Sequence, residues 1–263
     1  RRIPHGAMTI VACVLVLGAC SNGETSASHT DSTTAPTTTV ATTTTEAAAT
    51  TTEASTTSEP TTTTAMALPE PNDRTVLMPA GEAPAIDGII EVGEWDNAAT
   101  VTMSNDDLLH WMRSDGTLYV ALDSGDVGAV NVVIARAGEL WILHSSAALG
   151  SSLWVTSDSG WEQSHGYSWC CRSSTDDAAR LGLLENEGWQ ANIGFTGDDG
   201  VVEYQIEIPW AGAHVAVVLH TEDNDPAYWP TDLPDEARDV ITENRWSDPT
   251  LDVEDWWLIL PAS

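Results

Sequence analysis

A long threonine-rich segment sets the first limit on what this chain can fold into. From residue 21 to residue 66 the sequence consists almost entirely of Thr, Ser, Ala, Glu and Pro, without a Phe, Trp or Tyr. Such a segment cannot bury enough apolar surface to offset the entropy lost on folding, so we predict that it is disordered. Its composition is typical of glycosylated stalks and equally of plain spacers. The folded part is therefore expected within residues 67–263, enough for one domain with a sizeable core.

The residues before this segment have the pattern of an export signal. Two arginines precede an apolar run that is too short to span a bilayer, and Leu-Gly-Ala leads directly to Cys20. This junction resembles the lipobox of bacterial lipoproteins, in which the cysteine is acylated and becomes the mature N-terminus. We therefore predict a signal peptide over residues 1–19, a lipid on Cys20 and a linker over residues 20–66. The domain would then face outward from the cell envelope. The alternative is an ordinary secretory signal in which the cysteine stands by chance.

The charge of the chain narrows the classes of partner. The formal net charge is −31, and every basic residue other than histidine is Arg. Binding to nucleic acid depends on cationic groups that neutralise phosphates, so we expect no nucleic-acid partner. Anionic lipids are disfavoured for the same reason, which leaves the lipid anchor as the expected contact with a membrane. Neutral or cationic ligands and divalent cations remain compatible with this strongly negative charge.

The pattern of apolar residues in the domain predicts an all-β fold. Apolar residues alternate with polar ones from Val202 to Ile208, which indicates a strand with one face in the core and one in water. Short apolar runs at 118–122, 129–134 and 140–143 are typical of more central strands. Strands of this length with turn residues between them favour an antiparallel, jelly-roll-like β-sandwich, preceded by the disordered stalk.

One segment has the pattern of a short helix. Between Asp176 and Glu187 the apolar residues Ala179, Leu181 and Leu184 have helical spacing, and Gly188 is a suitable stop. We therefore expect a single short helix in an otherwise β domain.

Two motifs carry a resemblance to a known family. The sequence Ile-Asp-Gly at 86–88, followed by Gly-Glu-Trp-Asp-Asn-Ala at 93–98, is similar to the opening of family 9 carbohydrate-binding modules and related DOMON-like domains. The segments 116–121 and 202–210 are similar to later strands of these domains, the second ending in Glu-Ile-Pro-Trp. The resemblance implies a β-sandwich, and the family includes sugar-binding modules and haem-binding electron-transfer domains. We interpret the tryptophans of the motifs, Trp95 and Trp210, as core residues.

Aromatic residues in polar stretches are the candidates for ligand binding. The stretches 156–174 and 222–232 are rich in polar residues and are interpreted as loops. Exposed aromatic rings beside Asp, Glu and Asn are suited to stacking on sugar rings. The alternative is that these rings pack the loops onto the sandwich. The candidates are Trp161, Tyr167, Trp169, Tyr228 and Trp229.

The acidic run in the second stretch is a candidate calcium site. Asp223, Asn224 and Asp225 offer the hard oxygen ligands that Ca²⁺ prefers, although their spacing is not that of an EF-hand. In a chain this acidic, such a run also arises without any metal.

Haem binding is an alternative that follows from the DOMON-like resemblance. Met and His are axial ligands of haem in electron-transfer proteins. His110 and Met112 are two residues apart on one predicted strand, so a second ligand such as Met103 or His144 would be needed.

The domain contains one adjacent cysteine pair, Cys170 and Cys171. In an exported protein the pair is expected either as a vicinal disulfide or as structural thiols, rather than as part of a metal site.

No sequence motif supports catalysis. The chain has neither Gly-x-Ser-x-Gly nor His-Glu-x-x-His. The function expected from the sequence is therefore non-catalytic binding of a glycan or small neutral ligand through the aromatic residues named above. A haem-binding electron-transfer domain and an envelope interaction protein without a small ligand are the two alternatives.

Overall fold

The architecture comes from a computed structural model, which describes residues 68–172, 174–196, 199–221, 226–243, 251–254 and 256–263. The predicted signal, Cys20 and the threonine-rich linker lie outside these ranges. Within them, no helix combines the length and apolar character needed to cross a membrane.

The described residues form thirteen strands and two helices. The strands of the first half are β1 (Thr75–Met78), β2 (Ala99–Thr102), β3 (Leu108–Ser114), β4 (Thr117–Ser124), β5 (Ala129–Arg136), β6 (Glu139–Ser145), β7 (Ala148–Ser157) and β8 (Gly160–Arg172). They are followed by α1 (Asp177–Glu187), β9 (Trp189–Thr196), β10 (Asp199–Ile206), β11 (Ala213–His220), β12 (Ala227–Trp229), α2 (Asp235–Glu243) and β13 (Trp257–Pro261).

The strands form two sheets. The larger sheet has the order β1-β13-β11-β5-β6-β7-β8, with β12 also paired to β11, and the smaller sheet has the order β2-β3-β4-β10-β9. Neighbouring strands pair antiparallel except β1 and β13, which are parallel. The predicted all-β, sandwich-like fold is therefore confirmed.

The main core lies between the two sheets. From the smaller sheet, Val202, Tyr204 and Ile206 of β10 point into it, and Val215 and Val217 of β11 enter it from the larger sheet. These alternate residues of each strand share a face because side chains in a strand point to opposite sides in turn.

Both sheets are also covered on their outer faces. A second apolar cluster joins the outer face of the larger sheet to α2, through Ala237, Val240 and Ile241, and to the segment that contains Leu251 and Trp256. A third, smaller cluster covers the smaller sheet and is formed by Trp95, Met112, Tyr119 and Ala121, with Ile86, Ile90 and Ala98 packed against it.

The cover over the smaller sheet corrects one expectation for β10. Its alternating pattern is confirmed, but the polar face is closed to water at Glu203, which is fully buried under the segment that precedes β2, whereas Glu207 is exposed. An alternating pattern shows which residues share a face, but it does not show what covers that face.

The predicted helix is confirmed as α1. Asp176 caps its N-terminus and accepts a hydrogen bond from the Ala179 amide, and Gly188 ends it in the left-handed conformation at φ 73°. The buried face is shifted from the expected one, because Arg180 and Leu183 are buried whereas Leu181 is exposed.

The two stretches interpreted as loops contain strands, and a second helix was missed. The first stretch lies mostly in β8, and the second contains β12. β8 is the edge strand of its sheet, and its polar residues and glycines leave little apolar alternation to reveal it. The missed α2 buries Ala237, Val240 and Ile241, at the i, i+3 and i+4 positions of one helix face.

Candidate functional site

The main candidate site is a cleft of about 500 Å³ on the inner face of β6, β7 and β8. The C-terminal end of α1 and the first residue of β9 form its other wall. The apolar residues that line the cleft are Trp141, Leu143, Leu153 and Trp189. The polar residues that line it are Ser151, Ser152, His165, Ser168, Asn186 and Glu187.

Register and capping bring the polar groups of the cleft together. Ser151 on β7 pairs in register with Ser168 on the edge strand β8, so both hydroxyls meet on the cleft side. Glu187 is the last residue of α1, where Gly188 turns the chain into β9. The carboxylate is thereby placed opposite the two serines.

The carboxylate of Glu187 is held by both hydroxyls. Ser151 donates a short hydrogen bond to one carboxylate oxygen, and Ser168 donates to the other at 3.3 Å. The side-chain amide of the neighbouring Asn186 donates back to the Gly182 carbonyl at 2.7 Å. The arrangement fixes a negative group at the rim without a cationic partner among the residues that line the cleft.

Trp189 forms the deep apolar wall. Its ring is buried and stacks on Tyr204, with centroids 6.2 Å apart and an interplanar angle of 22°. Tyr204 is fixed in turn by a hydrogen bond from its hydroxyl to the Val130 carbonyl, at 2.9 Å. The indole N–H of Trp189 is buried and has no hydrogen-bond partner among the described residues. A buried donor left in this way is a position where a ligand group or water gains a hydrogen bond.

A disulfide joins the adjacent residues Cys170 and Cys171 near the end of β8. This is the first of the two states expected for the pair. Cys171 packs against the main core, and the sulfur of Cys170 lies 3.6 Å from the Ala179 carbonyl oxygen of α1. The end of β8, which carries Ser168, is therefore in contact with the helix that carries Glu187.

Among the predicted ligand-binding aromatic residues whose side chains the structure describes, Trp169 is the exposed one. Its side chain is 60% exposed on the outer face of β8, away from the cleft, and it meets the His144 ring edge-on at 5.3 Å. His144 hydrogen-bonds to Asn131 at 2.8 Å, and Asn131 bonds in turn to His220 at 3.3 Å. Burial, and next the charge of His220, lowers the pKa of His144 to about 4, so this imidazole is neutral at neutral pH.

The expectation of an exposed ring is wrong for Trp161 and Trp229. Trp161 is buried beneath the 251–256 segment and donates its indole N–H to the Leu251 carbonyl at 3.3 Å. Trp229 is buried in the main core, 5.2 Å from Trp111 and 5.8 Å from Trp257 between ring centroids. Both lie in strands of the larger sheet, where Trp229 faces the core between the sheets and Trp161 faces the covered outer side.

The remaining two aromatic candidates have other surroundings. Tyr228 is half-buried, and the guanidinium of Arg238 lies over its ring at 5.5 Å, so this face of the ring is covered. Tyr167 belongs to β8, and its side chain lies outside the described residues.

The predicted calcium ligands Asp223, Asn224 and Asp225 also lie outside the described residues. Within the described ranges, no three His, Cys, Asp or Glu side chains are grouped closely enough to hold a metal ion.

The structure does not bring the predicted haem ligands together. Met103 is in the main core between the sheets, whereas Met112 is on the outer face of the smaller sheet, with His110 two residues before it on the same strand. His144 is on the outer face of the larger sheet, bonded to Asn131. These residues therefore occupy three separate places, and the geometry does not support a haem held between ligands from two of them.

The residues behind the family resemblance converge on one buried carboxylate. Glu203 accepts hydrogen bonds from the amides of Asp87 and Gly88, at 3.1 and 2.8 Å, and from the Trp95 indole at 3.2 Å. Burial raises the pKa of Glu203 to about 7, against the opposing effect of these three donors. Trp210 is buried and donates to the Gly116 carbonyl at 2.8 Å. Both motif tryptophans are therefore structural, as expected.

No family model, curated protein or solved structure matches the chain. The resemblance to family 9 carbohydrate-binding modules therefore stays a prediction from the motif residues.

The sequence did not single out the cleft residues. Ser151, Ser168 and Leu153 are ordinary strand residues, and their meeting with α1 depends on the paired register of β7 and β8. One local signal was present at Glu187. A carboxylate in the last turn of a helix opposes the helix dipole, and α1 has no basic residue there to compensate. Violations of a local rule of this kind concentrate at functional sites.

Proposed function

We propose that the protein is a non-catalytic binding domain of the cell envelope that captures a carbohydrate in the cleft between β6–β8 and α1. The observation that carries the proposal is the combination, in one cavity of about 500 Å³, of indole and leucine side chains with hydroxyl, amide and carboxylate groups. A cavity of this size is within the usual range for small-molecule sites, about 300–1,000 Å³.

The chemistry of the cleft suits a sugar ring. Apolar walls from Trp141, Leu143 and Leu153 favour the C–H faces of a sugar, and hydroxyls at the rim exchange hydrogen bonds with those of the ligand. These groups come from strands and a helix rather than from loops, so the fold holds them before a ligand arrives.

Capture without catalysis is the reading that fits the polar groups best. The hydroxyls of Ser151 and Ser168 both donate to Glu187, so their contacts are those of a positioned carboxylate. A serine nucleophile is usually activated by an imidazole, and neither hydroxyl has a hydrogen bond to one among the described residues.

Display on the cell surface is part of the proposal. The Leu-Gly-Ala-Cys20 junction and the threonine-rich linker that follows it support export, a lipid anchor and a spacer between membrane and domain. Ligand capture at a distance from the membrane agrees with a strongly negative domain, which anionic lipid would repel.

A second function, an envelope interaction protein without a small ligand, also has an observation in its favour. Trp161 and Trp229 are packed inward, whereas Phe195, on the edge strand β9, is 64% exposed. That reading predicts a protein partner at an apolar surface and no saccharide in the cleft.

A glycan array probed with the purified full chain tests the proposal, with and without calcium. Ser168→Phe fills the cleft from an exposed position on β8, and Ser164→Phe places the same ring at an exposed position of the same strand that does not line the cleft. We expect saccharide binding that is lost in Ser168→Phe and kept in Ser164→Phe.

Three other results of the glycan array would each lead to a different conclusion. Binding that survives Ser168→Phe but disappears in Trp169→Ala would move the site to the outer face of β8. Folded protein that binds no saccharide across the array would overturn the proposal and favour the interaction protein. Binding that needs calcium would direct attention to the acidic run at residues 223–225.

A further inference from the structure

The cleft has a marked imbalance of charge. Glu187 is the one carboxylate that lines it, and the other titratable side chain among the lining residues is His165. Arginine is absent from the described residues that line the cleft. Arg180 of α1 is bonded to Asp177 and to the Ile86 carbonyl.

The surroundings strengthen the negative field at Glu187. The residue ends α1, so the C-terminal end of the helix dipole adds partial negative charge beside the carboxylate. The two serine hydroxyls orient the carboxylate but carry no charge that would neutralise it. A carboxylate has about four lone-pair sites, so two accepted bonds leave capacity for donors on a ligand.

The aromatic walls favour the same kind of ligand. Trp141 lines the cleft and is only half-buried, so part of its indole is accessible. A cation placed against an indole face is attracted by the ring quadrupole, and a nearby carboxylate adds to that attraction. An anionic group in the same position would meet the carboxylate, the helix terminus and a chain of net charge −31.

We infer that the cleft selects carbohydrates by charge, so that a sugar with a free amine binds best, a neutral sugar less well and a uronic acid least. Glu187 is the specificity-determining residue. This inference rests on the proposed function, since it names the class of ligand for the same cleft.

Matched saccharides separate this charge preference from sugar shape. For the gluco, galacto and manno series, oligomers of the amino sugar, its N-acetylated form and the uronic acid are titrated against the full chain at pH 7, where an ordinary imidazole is mostly neutral and much of the free amine is protonated. We expect the amine to bind about 5-fold more tightly than the N-acetylated sugar in the series that binds, which is the upper range for a solvent-exposed ion pair. The uronic acid should bind least. The preference should shrink as salt is raised, because salt screens exposed charges.

Glu187→Gln tests the assigned residue, and Glu185→Gln is its matched control. Glu185 is exposed on the same helix and does not line the cleft. In Glu187→Gln, binding of the N-acetylated sugar should change less than about 2-fold, while the preference for the amine disappears. In Glu185→Gln the order of the three ligands should be unchanged.

The failures of the two proposals are distinguishable. Saccharide binding without an order by charge, or an order that persists in Glu187→Gln, overturns the charge selection and leaves carbohydrate capture standing. The absence of saccharide binding in every series overturns the proposed function and the charge selection with it.

Discussion

Glu203 makes the stability of the domain dependent on pH in an unusual direction. Its carboxyl is fully buried and holds the 87–88 turn and Trp95 against β10. Burial raises its pKa from 4.5 to about 7 in the folded state. Below pH 4.5 the group is protonated in both states, and its contribution to stability is fully present. Between pH 4.5 and 7 the folded state keeps a proton that the unfolded state releases, so stability falls as pH rises.

The size of the effect follows from the difference between the two pKa values. At about 1.4 kcal/mol for each pH unit, raising the pKa from 4.5 to about 7 corresponds to a loss of roughly 3 kcal/mol between pH 4.5 and pH 7. A small domain is stabilised by about 5–15 kcal/mol in total, so this change is large enough to measure. No further loss from this group is expected above pH 7.

Urea unfolding of the wild type and of Glu203→Gln at a series of pH values separates the effect of this carboxyl group from that of the other carboxylates. The amide does not titrate, so the free energy of unfolding of the wild type minus that of the variant should decrease by about 3 kcal/mol from pH 4.5 to pH 8. Glu207→Gln, at an exposed residue just beyond β10, should leave the pH dependence unchanged. A difference that is constant with pH, or that increases with pH, would refute the reasoning. An increase would mean that the three N–H donors outweigh burial and favour the charged form.

Two further predictions concern the packing of the domain. Gly88→Ala should lower the free energy of unfolding by about 2–4 kcal/mol, because φ is +83° and a Cβ would lie 2.5 Å from the Gly194 amide nitrogen. Gly116→Ala is the control, because φ is +87° but no heavy atom lies within 4 Å of a Cβ, and it should cost only about 1–2 kcal/mol. Equal losses of the two variants in urea unfolding would contradict the close contact between Gly88 and Gly194. Trp229→Ala should cost about 3–5 kcal/mol as a buried aromatic, whereas Trp169→Ala should stay within about 0.5 kcal/mol. Thermal unfolding of both variants checks this, and a costly Trp169→Ala would show that its contacts are structural.

The parts of the fold that could be predicted are those with a local physical signature. The period-two pattern of 202–208 defined β10, and Asp176 with Gly188 bounded α1, because strand alternation and helix caps are readable from neighbouring residues alone. The burial of Trp95 and Trp210 also followed from sequence. Glu203 could not be recognised as buried, since the segment that covers it comes more than a hundred positions earlier.

The candidate site was harder to predict than the fold. A polar edge strand and a loop have nearly the same composition, so the 156–174 stretch gave no sign that it was β8. Trp161 was therefore expected at the surface, although the segment that contains Leu251 and Trp256 covers it. The cleft joins Ser151 and Ser168 to Glu187, and a meeting of this kind depends on the register of two strands and the position of a helix end. Contacts between distant segments of this kind produce no recognisable pattern in the sequence of any one segment.

The order of the larger sheet also determines how the domain carries mechanical load. The polypeptide enters at β1, on one edge of the sheet, whereas the cleft lies at β6–β8, on the opposite edge. Tension between a held ligand and the preceding chain runs across the strands, along their interstrand hydrogen bonds, so the ladders bear it in series. The ladder between β11 and β13 joins three residue pairs, fewer than the four that join β1 to β13. The ladder between β11 and β13 is the shortest on the path from β1 to the cleft, so under such a load we expect it to open before the ladders that join β6, β7 and β8.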